Sequence, residues 1–121
     1  MLLSHDKTVL VVDDDEQILD LTSRILELAG YRVLTASDGF QALELLLHTP
    51  VPVHLMLIDL RMPGMDGAAL ADRVLRQAPS PQLLFMSGFA FPDPSDLLPG
   101  PLLSKPFSHE DLISQVRLLL Q

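Results

Sequence analysis

A chain of 121 residues, 48% hydrophobic and 20% charged, is long enough for one domain with its own core and too apolar to be a disordered segment. Its formal net charge of −8 opposes binding to nucleic acid, which depends on cationic contacts to phosphate, and opposes an anionic membrane surface. With no cysteine there is neither a disulfide framework nor a thiolate metal site.

The first residues, Met1-Leu-Leu-Ser-His-Asp-Lys7, lack the charged start and apolar stretch of a signal peptide, and no apolar run is long enough to span a bilayer. A single cytoplasmic domain over residues 1–121, with its core at about 8–120, is the expectation. Val9-Leu-Val-Val12 is short, apolar and rich in β-branched residues, which predicts a buried strand ending at Asp13 and Asp14. Asp15 and Glu16 read as first-turn residues of a helix, favoured there by its dipole. From Gln17 a helical period takes over, with Ile18, Leu21, Ile25 and Leu28 as the predicted inward face and Gly30 as the stop. Tyr31 to Ala36 is the second strand. Asp38-Gly-Phe-Gln41 predicts a cap with a glutamine three residues on, opening a helix that turns Ala42, Leu45 and Leu46 inward. Pro50 and Pro52 close it.

Val53 to Ile58 is the third strand and stops at Asp59, before the turn at Pro63-Gly64. Gly67 to Gln77 is a third helix, ended by Ala78-Pro79-Ser-Pro81. Leu83 to Met86 is the fourth strand, running out at Ser87-Gly88. Residues 89–100 ought to hold a helix, but Pro92, Pro94 and Pro99 fall within them, and an interior proline costs a helix about 3 kcal/mol or more. An irregular, mobile loop is expected there, with at most one turn around Ser95 to Leu98. Pro101 to Ser104 is a short fifth strand before Lys105-Pro106-Phe107. Ser108 caps the last helix, with Asp111 at its third position and Leu112, Ile113, Val116, Leu119 and Leu120 on its apolar face.

Strands alternating with helices imply an α/β fold, a doubly wound parallel sheet with helices on both faces. In such a sheet the carboxyl ends of the strands share one edge. Asp13 and Asp14 follow strand one, Asp59 strand three, Ser87 strand four and Lys105 strand five. A strand order of 2-1-3-4-5 makes strands one and three neighbours and gathers three carboxylates. Such carboxylates raise one another's pKa unless a cation intervenes, and a hard divalent ion with oxygen ligands suits them. A lysine supplies a point charge for an anion and a serine a hydrogen bond. Together the set describes phosphoryl transfer to a carboxylate. His5, His48, His54 and His109 show no metal-ligand spacing and read as structural or surface residues. Met56, Met62, Met65 and Met86 read as core or loop fillers.

From Val9 to about Leu120 the sequence resembles the receiver domains of two-component response regulators, the chemotaxis-regulator-like fold. The resemblance rests on Val11-Val-Asp13-Asp14, on Asp59 within Ile-Asp-Leu-Arg-Met-Pro-Gly-Met-Asp-Gly, on Ser87-Gly88 and on Lys105-Pro106-Phe107. It implies a flavodoxin-like five-stranded sheet of order 2-1-3-4-5 with a degenerate helix between strands four and five. By position, it makes Asp59 the acceptor of a phosphoryl group from a histidine kinase or histidine phosphotransfer domain. Asp13, Asp14, Asp59 and the main-chain carbonyl of Arg61 become the ligands of Mg²⁺. Ser87 becomes the switch hydroxyl, and Lys105 the lysine that pairs with phosphoryl oxygen, in a cis peptide with Pro106. Arg61 and Phe89 match positions that tune dephosphorylation. The activity implied is self-catalysed phosphoryl transfer and dephosphorylation in a phosphorelay, not that of an enzyme acting on a separate substrate.

Two departures stand out. Leu102 occupies the position of the family's aromatic switch residue, and the proline-rich stretch replaces a helix that often carries dimerisation or output. Ser-Gly after strand four, with no output domain in the chain, leans towards a hybrid kinase or a single-domain protein. Two other readings compete with this one. A Mg²⁺-dependent phosphatase with an aspartate nucleophile commonly wants a second acid two residues on, where this chain has Arg61. A receiver-like module that signals without phosphate has no need of the complete acid, hydroxyl and lysine set.

Overall fold

Each predicted apolar run becomes a strand of one parallel sheet. The computed structural model describes residues 7–77, 79–88 and 98–121. In chain order the elements are β1 (Thr8–Val12), α1 (Glu16–Leu28), β2 (Arg32–Ala36), α2 (Gly39–His48), β3 (Leu55–Asp59), α3 (Gly67–Leu75), β4 (Gln82–Ser87), β5 (Leu102–Ser104) and α4 (His109–Leu119). The strand order is β2-β1-β3-β4-β5, as expected. β1 and β3 are buried along their whole length, which is why both read as unbroken apolar runs rather than as an alternation. Val12 pairs with Ile58 and Ile58 with Phe85, so β1, β3 and β4 end nearly level.

The sheet divides the interior. Val9, Val11, Leu57 and Leu84 pack under α1 and α4 against Leu26 and Leu112. Leu10, Val12, Ile58 and Phe85 pack on the opposite face with Leu70 and Val74 of α3 and Ala42 of α2. All of these are buried, each large side chain contributing about 1.5–3 kcal/mol on removal from water.

Local signals account for the helix ends. Asp15 is the N-cap of α1, accepting the Gln17 and Ile18 N–H groups, so it stands just outside the first turn rather than within it as expected. At the other end Gly30 takes a left-handed φ of 99° while its N–H reaches the Glu27 carbonyl and Tyr31 N–H the Leu26 carbonyl. The predicted inward face of α1 is partly wrong. Leu21 is 57% and Leu28 84% exposed, whereas Leu19, Thr22, Ile25 and Leu26 are buried. Asp38 caps α2 by accepting the Gln41 N–H, but the Gln41 side chain receives the Ser37 N–H rather than closing back on the cap. The complete reciprocal box is at α4, between Ser108 and Asp111.

The expected loop at 89–100 and the residue Phe89 fall largely outside the described residues; Leu98, Pro99 and Gly100 are described, and form a bend. Among the described residues no helix is long and apolar enough to cross a membrane.

Candidate functional site

β1 and β3 deliver their carboxylates side by side. Asp13 follows Val12, and Asp59 ends β3 directly after the residue paired with Val12. Asp13 is fully buried and Asp59 is 6% exposed, while Asp14 faces solvent. Carboxylate oxygens of all three lie within 4.8 Å of one another. Asp13 is held at several points: its N–H donates to the Ala36 carbonyl at 3.2 Å, and its Oδ1 accepts the Asp15 N–H at 2.9 Å. On Asp59, Oδ1 accepts the Arg61 N–H at 3.4 Å.

Lys105 reaches into this group from the end of β5. Its Nζ donates to Asp13 Oδ2 at 2.9 Å and lies 3.5 Å from Asp59 Oδ1. The lysine is fixed through its backbone, since its N–H donates to the Ser87 carbonyl at 2.7 Å, and its peptide with Pro106 is cis as anticipated. Ser87 ends β4 and pairs with Ser104 of β5. Because Asp59 pairs with Met86, Ser87 stands one residue beyond Asp59 on the neighbouring strand.

The Asp59 turn is built by close backbone approach. Gly67 opens α3 with its N–H bonded to the Leu60 carbonyl at 3.0 Å, and a Cβ placed on it would meet the Asp59 carbonyl oxygen at 2.6 Å. Leu60 N–H in turn donates to the Met86 carbonyl at 2.9 Å. Gly64, at φ +84°, makes the turn that its Pro-Gly dipeptide predicted.

The electrostatics follow from burial. Desolvation, and then the neighbouring Asp13 charge, push the Asp59 carboxyl up to about 6, against the opposing pull of Lys105 and the Arg61 N–H. A carboxyl so placed is ionised at neutral pH at a cost, and a cation relieves that cost. Two buried acids, one solvent-facing acid and a cluster narrow enough for one ion fit a metal that takes few carboxylates and keeps waters.

The predicted site residues thus converge: Asp13, Asp14, Asp59 and Lys105 form one charge cluster, with Ser87 and Arg61 on its adjoining backbone. Sequence reasoning missed Gly67, whose signal was only its place at a helix start, and the apolar groove beside Lys105. That groove, of about 260 Å³, is lined by Ile18, Leu21, Thr22, Pro106 and Phe107 together with the lysine's stem. The exposed Leu21 forms part of its wall.

The family model of the response regulator receiver domain matches residues 9–117. The chain belongs to that family. The receiver is 35% identical to the response regulator receiver protein CpdR of Brucella abortus, over 94% of this chain and 97% of that one. It is 32% identical to part of the sensor kinase CckA of the same organism, covering 98% of this chain and 13% of the kinase. Among solved structures, a CheY-like receiver domain protein from Methanospirillum hungatei superposes with a TM-score of 0.83 at 28% identity, over 94% and 93% of the two chains. Against several other curated relatives this receiver spans about half their length, 47% and 48% in two cases.

Proposed function

We propose that this receiver takes a phosphoryl group onto Asp59 from a phosphohistidine of a histidine kinase or histidine phosphotransfer domain, in the cytoplasm. The observation that carries the reading is the lysine-bridged pair Asp13 and Asp59, with Asp14 beside it, at the carboxyl ends of adjacent strands. A carboxylate oxygen of Asp59 attacks phosphorus. An O–P bond forms as the N–P bond breaks, and the departing imidazole keeps the electron pair and takes up a proton. Lys105, already 3.5 Å from the acceptor, offsets the arriving negative charge and orients a phosphoryl oxygen. The Ser87 hydroxyl donates to another oxygen and so couples the new group to the end of β4.

Asp13, Asp14, Asp59 and the Arg61 carbonyl are the residues that would hold Mg²⁺, which would supply divalent charge against the phosphoryl oxygens. Water attack on the acyl phosphate returns Asp59 to its resting state. The groove walled by Leu21 and Phe107 gives a protein donor an apolar surface next to Lys105. The relationship to one segment of a sensor kinase supports a setting within a hybrid kinase or a larger regulator. With a net charge of −8 the domain does not itself bind nucleic acid.

Intact mass after incubation with Mg²⁺ and acetyl phosphate tests the proposal. One added phosphoryl group is expected on the wild type, and none on Asp59→Asn or in excess chelator. A wild type that gains nothing, from acetyl phosphate or from a phosphorylated histidine phosphotransfer domain, would shift the reading to a phosphate-independent interaction module.

A further inference from the structure

His54 stands just before β3, at the end of the strand opposite Asp59. Three hydrogen bonds tie the neighbouring strands together there. His54 N–H donates to the Thr8 carbonyl and Gln82 N–H to the His54 carbonyl, both at 2.9 Å, while Thr8 N–H donates to His54 Nδ1 at 3.0 Å. The third differs from the others because its acceptor can titrate. Thr8 is buried, so its N–H has no water to turn to if that acceptor is lost. An N–H aimed at Nδ1 needs a lone pair there, which places the proton of the neutral ring on Nε2. A protonated imidazole carries hydrogen on both nitrogens and accepts nothing.

We infer that His54 is a pH-sensitive latch: its neutral ring fastens the start of β1 to the start of β3, and protonation opens that end of the sheet. The surroundings favour the closed form. Burial, and then the charge of Lys7, lower the affinity of the ring for its proton. His54 lines a shallow pocket in which Lys7 is the one charged side chain among the described residues; Ser80, Gln82, Leu119 and the chain-terminal Gln121 are among the others. His5 and Asp6 lie outside the described residues. Since the folded ring binds its proton less readily than an unfolded one, the stabilisation is present above the ordinary value of 6.5 and is lost as pH falls through and below it. Asp59 works in the opposite sense, so the two contributions are separable.

Residue-resolved NMR of the labelled 121-residue chain tests the latch without reference to phosphorylation. At about pH 7.5 the His54 Nδ1 is expected to show the shift of an unprotonated ring nitrogen, and the ring to titrate below 6.5. Protection of the Thr8 amide, corrected for intrinsic exchange, is expected to drop about tenfold or more between pH 7.5 and 5. His54→Asn, whose amide oxygen can take the Nδ1 place without titrating, should keep that protection at both values. His54→Leu should lose it at both. A ring protonated on Nδ1, a midpoint at or above 6.5, or Thr8 protection that ignores pH in the wild type would each overturn the inference.

Discussion

The ammonium of Lys105 lies 2.9 Å from Asp13 Oδ2 and 3.5 Å from Asp59 Oδ1, so one cation serves two carboxylates that arrive on different strands. Lys105→Met keeps the stem and removes the charge. Hydrogen bonds to charged groups are worth about 1.5–3 kcal/mol, so phosphorylation by acetyl phosphate should slow by about 10- to 100-fold, read as the time course of mass gain. The same variant leaves Asp13 fully buried without its counter-ion. In the absence of Mg²⁺ its stability to urea should fall by about 3 kcal/mol, the lower end for a broken buried pair because one acid can take up a proton.

Asp59 offers a pH test with a definite sign. Folded, its carboxyl holds a proton up to about 6, while the unfolded group releases it near 3.8. Between those values the native state binds more protons, so stability falls as pH rises through the window and stays lower above it. Asp59→Asn removes that loss. The rise from 3.8 to about 6 corresponds at most to about 3 kcal/mol, reduced by screening to about 1–2 kcal/mol. In chelator near pH 7.5 the variant should therefore melt several degrees above the wild type, and the gap should close near pH 4. A wild type that melts above Asp59→Asn at neutral pH under these conditions would contradict the burial argument.

Gly67→Ala should be harmful despite the higher helix propensity of alanine. The added methyl would lie 2.6 Å from the Asp59 carbonyl oxygen and 2.8 Å from Leu60 Cα, and backbone cannot swing aside as a side chain does. An overpacking cost of about 1–3 kcal/mol is expected in urea unfolding, together with slower phosphorylation as the turn carrying Asp59 shifts.

Asp13 and Asp15 are two residues apart and should behave oppositely towards Mg²⁺. Thermal stability of the wild type should rise with Mg²⁺, by about 1.4 kcal/mol at ten times the dissociation constant. Asp13→Asn should abolish that response. Asp15→Ala should keep it while lowering stability in chelator by about 1 kcal/mol, the worth of an N-cap. Equal Mg²⁺ responses in the two variants would remove Asp13 from the proposed ligand set.

Much of the site was legible because its residues sit where short apolar runs stop. A buried parallel strand must be apolar on both faces, so a carboxylate at its end is conspicuous, as at Val12-Asp13 and Ile58-Asp59. The inward face of α1 was less legible. Ile18, Leu19, Leu21, Ile25, Leu26 and Leu28 surround the helix too evenly for periodicity to choose, and the sheet rather than the helix selected Leu19 and Leu26. The expected strand order already put Lys105 on the edge that carries Asp13, 92 positions away, though it did not say which acid the ammonium would bond; the contact of His54 with Thr8, 46 positions apart, had no signal in the sequence.

The sheet also has a consequence for how the molecule tolerates change. Successive residues of β1 point into different layers, Val9 and Val11 towards α1 and α4, Leu10 and Val12 towards α2 and α3. A cavity cut under α1 by Leu26→Ala and one cut under α3 by Leu70→Ala share no packing neighbour, so their costs should sum in a double mutant to within about 0.5 kcal/mol. One layer can therefore drift in sequence to suit a new partner while the other stays unaltered. The backbone ladder between them keeps Asp13 and Asp59 in step throughout.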